Sequence, residues 1–363
     1  MISNEIEIKW TRVRNFLSEK KFDGIIINRI SNFAWFTGGG RNYVALNTEF
    51  GASSLLVTDK KIYLLSNNIE SERMLREELA NTGVEPIVLP WHKDDRLFEQ
   101  VNNVINGKIA IDKPGEKFDY LDISELHFPL LDIEVDRFKN LGKKVTKIVS
   151  QICYEIKPGM TENEVAGQLS KEFWANDTIP VVLLIAADER IANFRHPVAT
   201  DKKIEKCVMV VVCVYEKGLI VSMTRIVSFT KLSEEIKKKH HAVCTVDATF
   251  IVSTKPGKTV GEVFKAGIDA YHKTGFQDEW EKHHQGGPCG YKTRYYRATS
   301  NSSDVITKNQ AFAWNPSITG TKSEDTIITG ENLALIITED EQWPKKNIEI
   351  NGITVSRPDI LVR

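Results

Sequence analysis

Apolar and polar positions change period several times along this chain, and each change marks an element. The opening stretch, MISNEIEIKWTRVRNFL, spaces its apolar residues as an amphipathic helix does. An apolar strand follows over residues 24–28, and then SNFAWFTGGGRN, which reads as a glycine-rich turn. The pattern next predicts strands over 53–58 and 61–66, a helix over 69–80, a strand over 86–89, a helix over 94–106 and a strand over 108–112. Helix and strand alternating through short connections predict an α/β layer domain, placed at residues 1–134. A long helix is expected over 136–156, with Leu141, Val145, Ile148, Ile152 and Cys153 on its apolar face.

The remainder, 135–363, contains a repeat. Lys157-Pro-Gly-Met-Thr-Glu-Asn-Glu-Val165 recurs as Lys255-Pro-Gly-Lys-Thr-Val-Gly-Glu-Val263, each copy after a helix (136–156, then 234–252). In both, Pro-Gly stops the helix and Thr-x-x-Glu opens the next one as a capping box, Thr161/Glu164 and Thr259/Glu262. The same order of helix, breaker and box predicts a pseudo-symmetric domain of two helix-plus-hairpin halves. The most apolar run, 207–214, and a second β-rich run, 219–229, flank a Gly-bearing turn and predict a hairpin at the centre of a sheet. A second strand pair is expected over 311–316 and 324–329, and the loop His283-His-Gln-Gly-Gly-Pro-Cys-Gly290 must turn tightly. The pair His240-His241 lies on a helix that reads as solvated surface.

Composition narrows the function classes. A 41% hydrophobic and 27% charged chain can bury a sizeable core. The formal net charge of -1, with no long run of one sign, gives no reason to expect nucleic acid or an anionic membrane as partner. No apolar stretch approaches the roughly 20 residues that span a bilayer. The start lacks the apolar core of a signal peptide. Five scattered cysteines without CxxC spacing point to reduced thiols, no zinc knuckle and a cytoplasmic location.

Several landmarks, in order, resemble the pita-bread superfamily of methionine aminopeptidase, aminopeptidase P, prolidase and creatinase. They are Phe33-Ala-Trp-Phe-Thr-Gly-Gly39, the linking helix, Lys157-Pro-Gly-Met-Thr-Glu162, Asn193-Phe-Arg-His-Pro-Val-Ala-Thr-Asp-Lys-Lys203, Thr224-Arg225, the 283–290 loop and Gly320-Thr-Lys-Ser-Glu-Asp325. The resemblance covers nearly the whole chain. It implies an α/β (α+β) protein, with a creatinase-like N-terminal domain followed by a pita-bread domain.

The resemblance also implies two divalent metals, held in the family's peptidases by two Asp, one His and two Glu. A metal pair needs converging carboxylate oxygens to offset its charge and to acidify a bridging water. Carried over residue by residue, the second Asp falls on Ser222, the first on Val211, the His on Gly287 and the first Glu on Asn315; only Glu324 is kept. Sliding the hairpin by two residues puts Cys213 at the first position and recovers no other ligand. The expectation is therefore a site without metal or other cofactor.

Creatinase is the family's metal-free precedent for cleaving a C–N bond, and it implies that His196 handles protons, with Glu324 as the second candidate catalytic group. Candidate substrate-binding residues are Arg195, His284, Gln285, Tyr291, Asn315, Lys322 and Asp325, with Arg294 within reach of the same pocket. Lys322 either neutralises Glu324 or snorkels to solvent. Arg41 and Tyr43 follow the glycine-rich turn, and creatinase-like dimers lend such residues to the partner's cleft, so a homodimer is expected. Two functions remain open: a metal-independent hydrolase of C–N bonds in a small or peptide-like substrate, or an inactive protein that keeps the cleft to bind a ligand.

Overall fold

Ser3 starts the first helix, α1 (Asn4–Lys20), by accepting a hydrogen bond from Ile6 N, and the helix buries Ile6, Val13, Phe16 and Leu17. The computed structural model describes residues 2–363, and the chain divides into two units, Met1–Leu131 and Asp132–Arg363. The first unit is built on a six-stranded sheet: β1 (Gly24–Arg29), β2 (Phe50–Thr58), β3 (Ile62–Asn67), β4 (Glu85–Leu89), β5 (Ile109–Ile111) and β6 (Asp119–Tyr120), in the order β4-β3-β2-β1-β5-β6.

Two features of this unit depart from the sequence pattern. The segment expected as a turn contains a helix, α2 (Ile30–Thr37), which buries Phe33, Ala34, Trp35 and Phe36. The glycines only end it, Gly38 closing it at φ 76°. The two helices expected over 69–80 and 94–106 are instead short pieces. A helix α3 (Ser71–Arg73) runs into a π turn over Met74–Glu78. A 3-10 stretch, Trp91–Gln100, runs into α4 (Val101–Val104). Trp91–Gln100 fully buries none of its side chains, and only the half-buried Leu97 and Phe98 pack on the core, too little to hold a regular α-helix there.

The second unit opens with α5 (Asp132–Glu155) and α6 (Glu162–Ala175), then β7 (Ile179–Ala187), α7 (Arg190–Asn193), β8 (Cys207–Glu216) and β9 (Leu219–Ser228). Its second half repeats the plan with α8 (Glu234–Ser253), α9 (Val260–Thr274), β10 (Gly286–Cys289), β11 (Ala311–Trp314), β12 (Ser317–Ile318), β13 (Thr321–Lys322), β14 (Asp325–Ile328) and β15 (Leu335–Ile336). The chain ends in β16 (Lys345–Ile350), β17 (Ile353–Pro358) and β18 (Leu361–Val362). Both Thr-x-x-Glu boxes form: Thr161 with Glu164, and Thr259 with Glu262. Each capping threonine also makes an isolated antiparallel bridge, to Lys203 and to Val305, so the repeat extends beyond the helices. The sheets run β18-β9-β8-β7 and β10-β11-β14-β15, and they are tied together by Thr224 N to Glu324 O at 3.0 Å and Ile220 N to Gly290 O at 2.8 Å.

His240 is buried, which corrects the reading of its helix as solvated surface. Its Nε2 donates to Pro358 O at 3.1 Å and its Nδ1 accepts from Thr321 Oγ1 at 2.7 Å. Burial holds it neutral, at a pKa of about 4. The strands from the chain's end cover that face of α8, a packing no local pattern announces. Among the described residues no helix is long and apolar enough to cross a membrane.

Candidate functional site

Side chains alternate along extended chain, and this sorts the centre of the second unit into two faces. Thr224 turns Oγ1 to Glu324 Oε2 at 2.7 Å. The next residues on each strand point the other way: Arg225 meets Asp325 at 3.0 Å, and Arg357 joins Asp325 to Asp247 in a fully buried ion cluster. Asp325 therefore faces away from Glu324 and is saturated by arginines and Thr338; it does not line the ligand pocket expected of it.

Lys322, two residues before Glu324, shares its face and bonds Oε2 at 2.7 Å, while Arg294 Nη2 reaches Oε1 at 3.1 Å. Glu324 is 2% exposed. Burial alone would raise its pKa, but the charges of Lys322 and Arg294 and the bonds from Lys322 and Thr224 outweigh it and hold the carboxyl at about 2. Both oxygens of the Glu324 carboxylate are thus taken by fixed cations.

Across the β8–β9 hairpin the residue opposite Ser222 is Cys213, and Ser222 Oγ lies 3.2 Å from its thiol. Val211 pairs instead with Thr224 and packs with Ile191, Met209 and Ile226. Burial pushes the Cys213 thiol above its ordinary pKa, so it is an uncharged group at neutral pH. Arg294 Nη1 donates to Ser222 Oγ at 3.2 Å.

Gly287 holds φ 149°, and a Cβ there would come within 2.7 Å of Tyr296 O. At Gly286, φ 97°, it would come within 2.1 Å of Ala313 O. Backbone occupies the space a side chain at 287 would need. Asn315 follows β11, is 4% exposed, and its Oδ1 has no hydrogen-bond partner among the described residues.

Three imidazoles converge beside this centre. His196 lies in the loop after α7; His283 and His284 lie between the turn Trp280–Lys282 and β10. His283 Nε2 and His196 Nε2 are 3.1 Å apart, and one nitrogen from each of the three residues falls within 4.8 Å of the others. His283 is buried with Nδ1 unpartnered. Burial first, then Lys322 and the neighbouring imidazoles, lower it to about 2. Burial first, then Arg294 and Arg297, lower His284 to about 4. His196, more exposed, is lowered by burial and by Lys322. All three are neutral at pH 7, each able to donate one hydrogen bond and accept one.

Other predicted residues lie elsewhere. Arg195 borders the same pocket as Phe194, Met209, His283 and Lys322, but its guanidinium is held by Glu279 at 2.8 Å and Thr319 at 3.0 Å. Gln285 is buried, accepting from Tyr271 and donating to Trp280 O and His283 O; it shapes the loop. Tyr291, two residues past β10, turns its hydroxyl to Glu134 of α5 at 2.6 Å. Arg41 pairs with Glu78 inside the first unit. Sequence reasoning gave no role to Thr224 or His283; strand parity with Glu324 could have flagged the first, and nothing local flags the second.

Residues 136–339 match the model of metallopeptidase family M24, and 9–122 match the creatinase/prolidase N-terminal domain. The chain is 22% identical over 353 residues to an Xaa-Pro dipeptidase of Pyrococcus furiosus, covering 90% of this chain and 96% of that one. Among solved structures it is similar to an Xaa-Pro dipeptidase from Bacillus anthracis (TM-score 0.76, 18% identity, 99% and 100% of the two chains). It is also similar to dipeptidase PepE from Mycobacterium ulcerans (TM-score 0.78, 15% identity, 100% and 99%). With a prolidase-like fold throughout and a family model spanning more than half its length, this chain belongs to metallopeptidase family M24, the pita-bread family, and carries the family's creatinase/prolidase N-terminal domain.

Proposed function

We propose that this member of the family is a hydrolase of C–N bonds in a small or peptide-like substrate that works without the two-metal centre, with His196 as its proton carrier. The observation that carries the reading is the state of Glu324. Both its oxygens are bound to Lys322, Arg294 and Thr224, and Cys213, Ser222, Gly287 and Asn315 offer no carboxylate or imidazole around it. A metal pair needs several converging anionic oxygens. The three imidazoles are close enough for a single ion, but Lys322, Arg294 and Arg297 set a positive field there, which opposes a cation.

In the proposed step, water adds to the electrophilic carbon and its proton passes to a neutral imidazole at His196. The C–N bond then breaks, and the same proton goes to the leaving nitrogen. Glu324 fixes Lys322 and Arg294, which face the developing oxyanion. The assembly we propose is a homodimer; a monomer by light scattering at micromolar concentration would remove that part.

A second reading, a ligand-binding protein without turnover, is favoured by one observation: Asn315 places an amide where the family has a glutamate, and an amide cannot take a proton. Elemental analysis combined with turnover assays on Xaa-Pro dipeptides and small guanidino compounds decides between the readings. About two equivalents of Mn, Zn or Co per chain would end the metal-free reading. If turnover is found, His196→Gln should lower it about 100- to 10,000-fold; full turnover in that variant would sink the role of His196.

A further inference from the structure

Resting on that metal-free reading, we infer that the pocket selects a ligand bearing an oxyanion, a carboxylate or a phosphate, over one whose only charged group is a guanidinium. The first ground is the balance of fixed charge. Lys322 and Arg294 share one carboxylate, Glu324, and their side chains are only 6% and 12% exposed. Two buried cations against one anion leave a positive charge uncompensated, a costly arrangement unless an anion completes it. Arg195 does not add to the excess, since Glu279 neutralises it. Arg297, exposed above the histidines, makes no ion pair or hydrogen bond with the described residues, yet its charge is felt at His196 and His284.

The second ground is the balance of donors. The Lys322 ammonium has three N–H groups, and Glu324 is its single hydrogen-bond acceptor among the described residues. Arg294 Nε, a donor, is buried with no partner among the described residues. Buried polar atoms without partners are uncommon and mark where a ligand or water belongs. This one lies on a residue that carries the excess charge, bonded to the same carboxylate as Lys322. Forked guanidinium donors match a two-oxygen anion. The depressed histidines agree: burial is the first cause for each, and at all three Lys322 adds to it. A guanidinium ligand would enter that field without a free carboxylate to meet it.

The test is calorimetric titration at pH 7.5 and constant ionic strength in chloride, with orthophosphate, succinate and methylguanidinium as separate probes. Metal content is measured on the same sample. Orthophosphate or succinate should saturate one site per chain, and methylguanidinium should not bind. Binding of orthophosphate alone assigns a phosphoryl ligand, and of succinate alone a carboxylate. Arg297→Gln, at an exposed position that should leave folding intact, should raise the Kd of the bound anion about tenfold. Lys322→Met, which leaves Glu324 paired with Arg294 and removes the excess charge, should weaken it further. Saturation by methylguanidinium with neither anion bound overturns the inference, as does anion binding that neither variant changes, which would mean an adventitious ion only. Metal-free protein that binds no anion refutes the anion selection alone, whereas stoichiometric metal removes the reading beneath it.

Discussion

Replacing Glu324 by Gln keeps the shape of the side chain and removes the only anion shared by Lys322 and Arg294. A buried carboxyl held at about 2 against an ordinary 4.5 corresponds to about 3 kcal/mol of folding free energy at neutral pH. Breaking a buried pair from one side typically costs about 3–5 kcal/mol, because the other partner is left uncompensated. We expect Glu324→Gln to lose a similar amount, which for a protein of this size lowers the calorimetric Tm by about 5 °C. Adding Lys322→Met should return most of that loss, since Arg294 then remains as the single cation with Ser222 and Thr293 as acceptors. The pH dependence has a defined sign. The folded-state pKa lies below the unfolded one, so the stabilisation is fully present above about 4.5 and fades as pH falls toward 2. The difference between wild type and Glu324→Gln should therefore be constant from pH 6 to 8. Scanning calorimetry of chelator-treated protein is the assay. In a site built to receive metals, a vacant carboxylate gains little from being ionised, and its amide variant would be nearly as stable as the wild type. A loss below about 1 kcal/mol, or no recovery on adding Lys322→Met, refutes the ion-cluster account.

Two further outcomes follow from the same physics. A histidine placed at Gly287, where the resemblance puts a ligand, should not create a metal centre; with φ 149° and Tyr296 O in the way, Gly287→His should cost about 1–3 kcal/mol, and an unchanged Tm or tight Mn binding would contradict the packing described. His240 is held at about 4 while its unfolded counterpart titrates near 6.5, so the unfolded state binds the extra proton and stability should decline between pH 6.5 and 4, by about 3 kcal/mol from this group; denaturation curves at pH 7 and 4.5 whose difference is the same in His240→Gln would exclude it.

Much of the fold was legible because its signals are local. A capping box needs only a threonine and a glutamate at the right spacing, so both copies were readable, and with them the two-fold plan of the second unit. The central hairpin was readable from composition, but its register was not. The family spacing put the first ligand position on Val211, and a slide of two residues put it on Cys213; the tight turn at Lys217 and Gly218 sets Cys213 across from Ser222 and Val211 across from Thr224. Turn length sets register, and register sets which residue faces the site. Asp325 was misassigned although strand parity alone separates it from Glu324. His283 could not be placed from sequence, because its approach to His196 depends on two loops brought together only by tertiary packing.

On the proposed reading, the loss of the metal centre is a change of charge balance and not a list of missing ligands. In the family arrangement two divalent ions stand against the carboxylates of two Asp and two Glu, which cancel. Here two monovalent side-chain cations stand against one carboxylate, with a thiol, a hydroxyl, a glycine and an amide around them. Restoring one carboxylate would give a neutral cluster of four with Glu324, Lys322 and Arg294, not a metal site, because both cations already occupy the oxygens a metal would need. Metal binding would return only if those two side chains left as well, and each departure alone strands a buried charge. The present cluster is therefore a stable alternative to the two-metal site, separated from it by intermediates less stable than either.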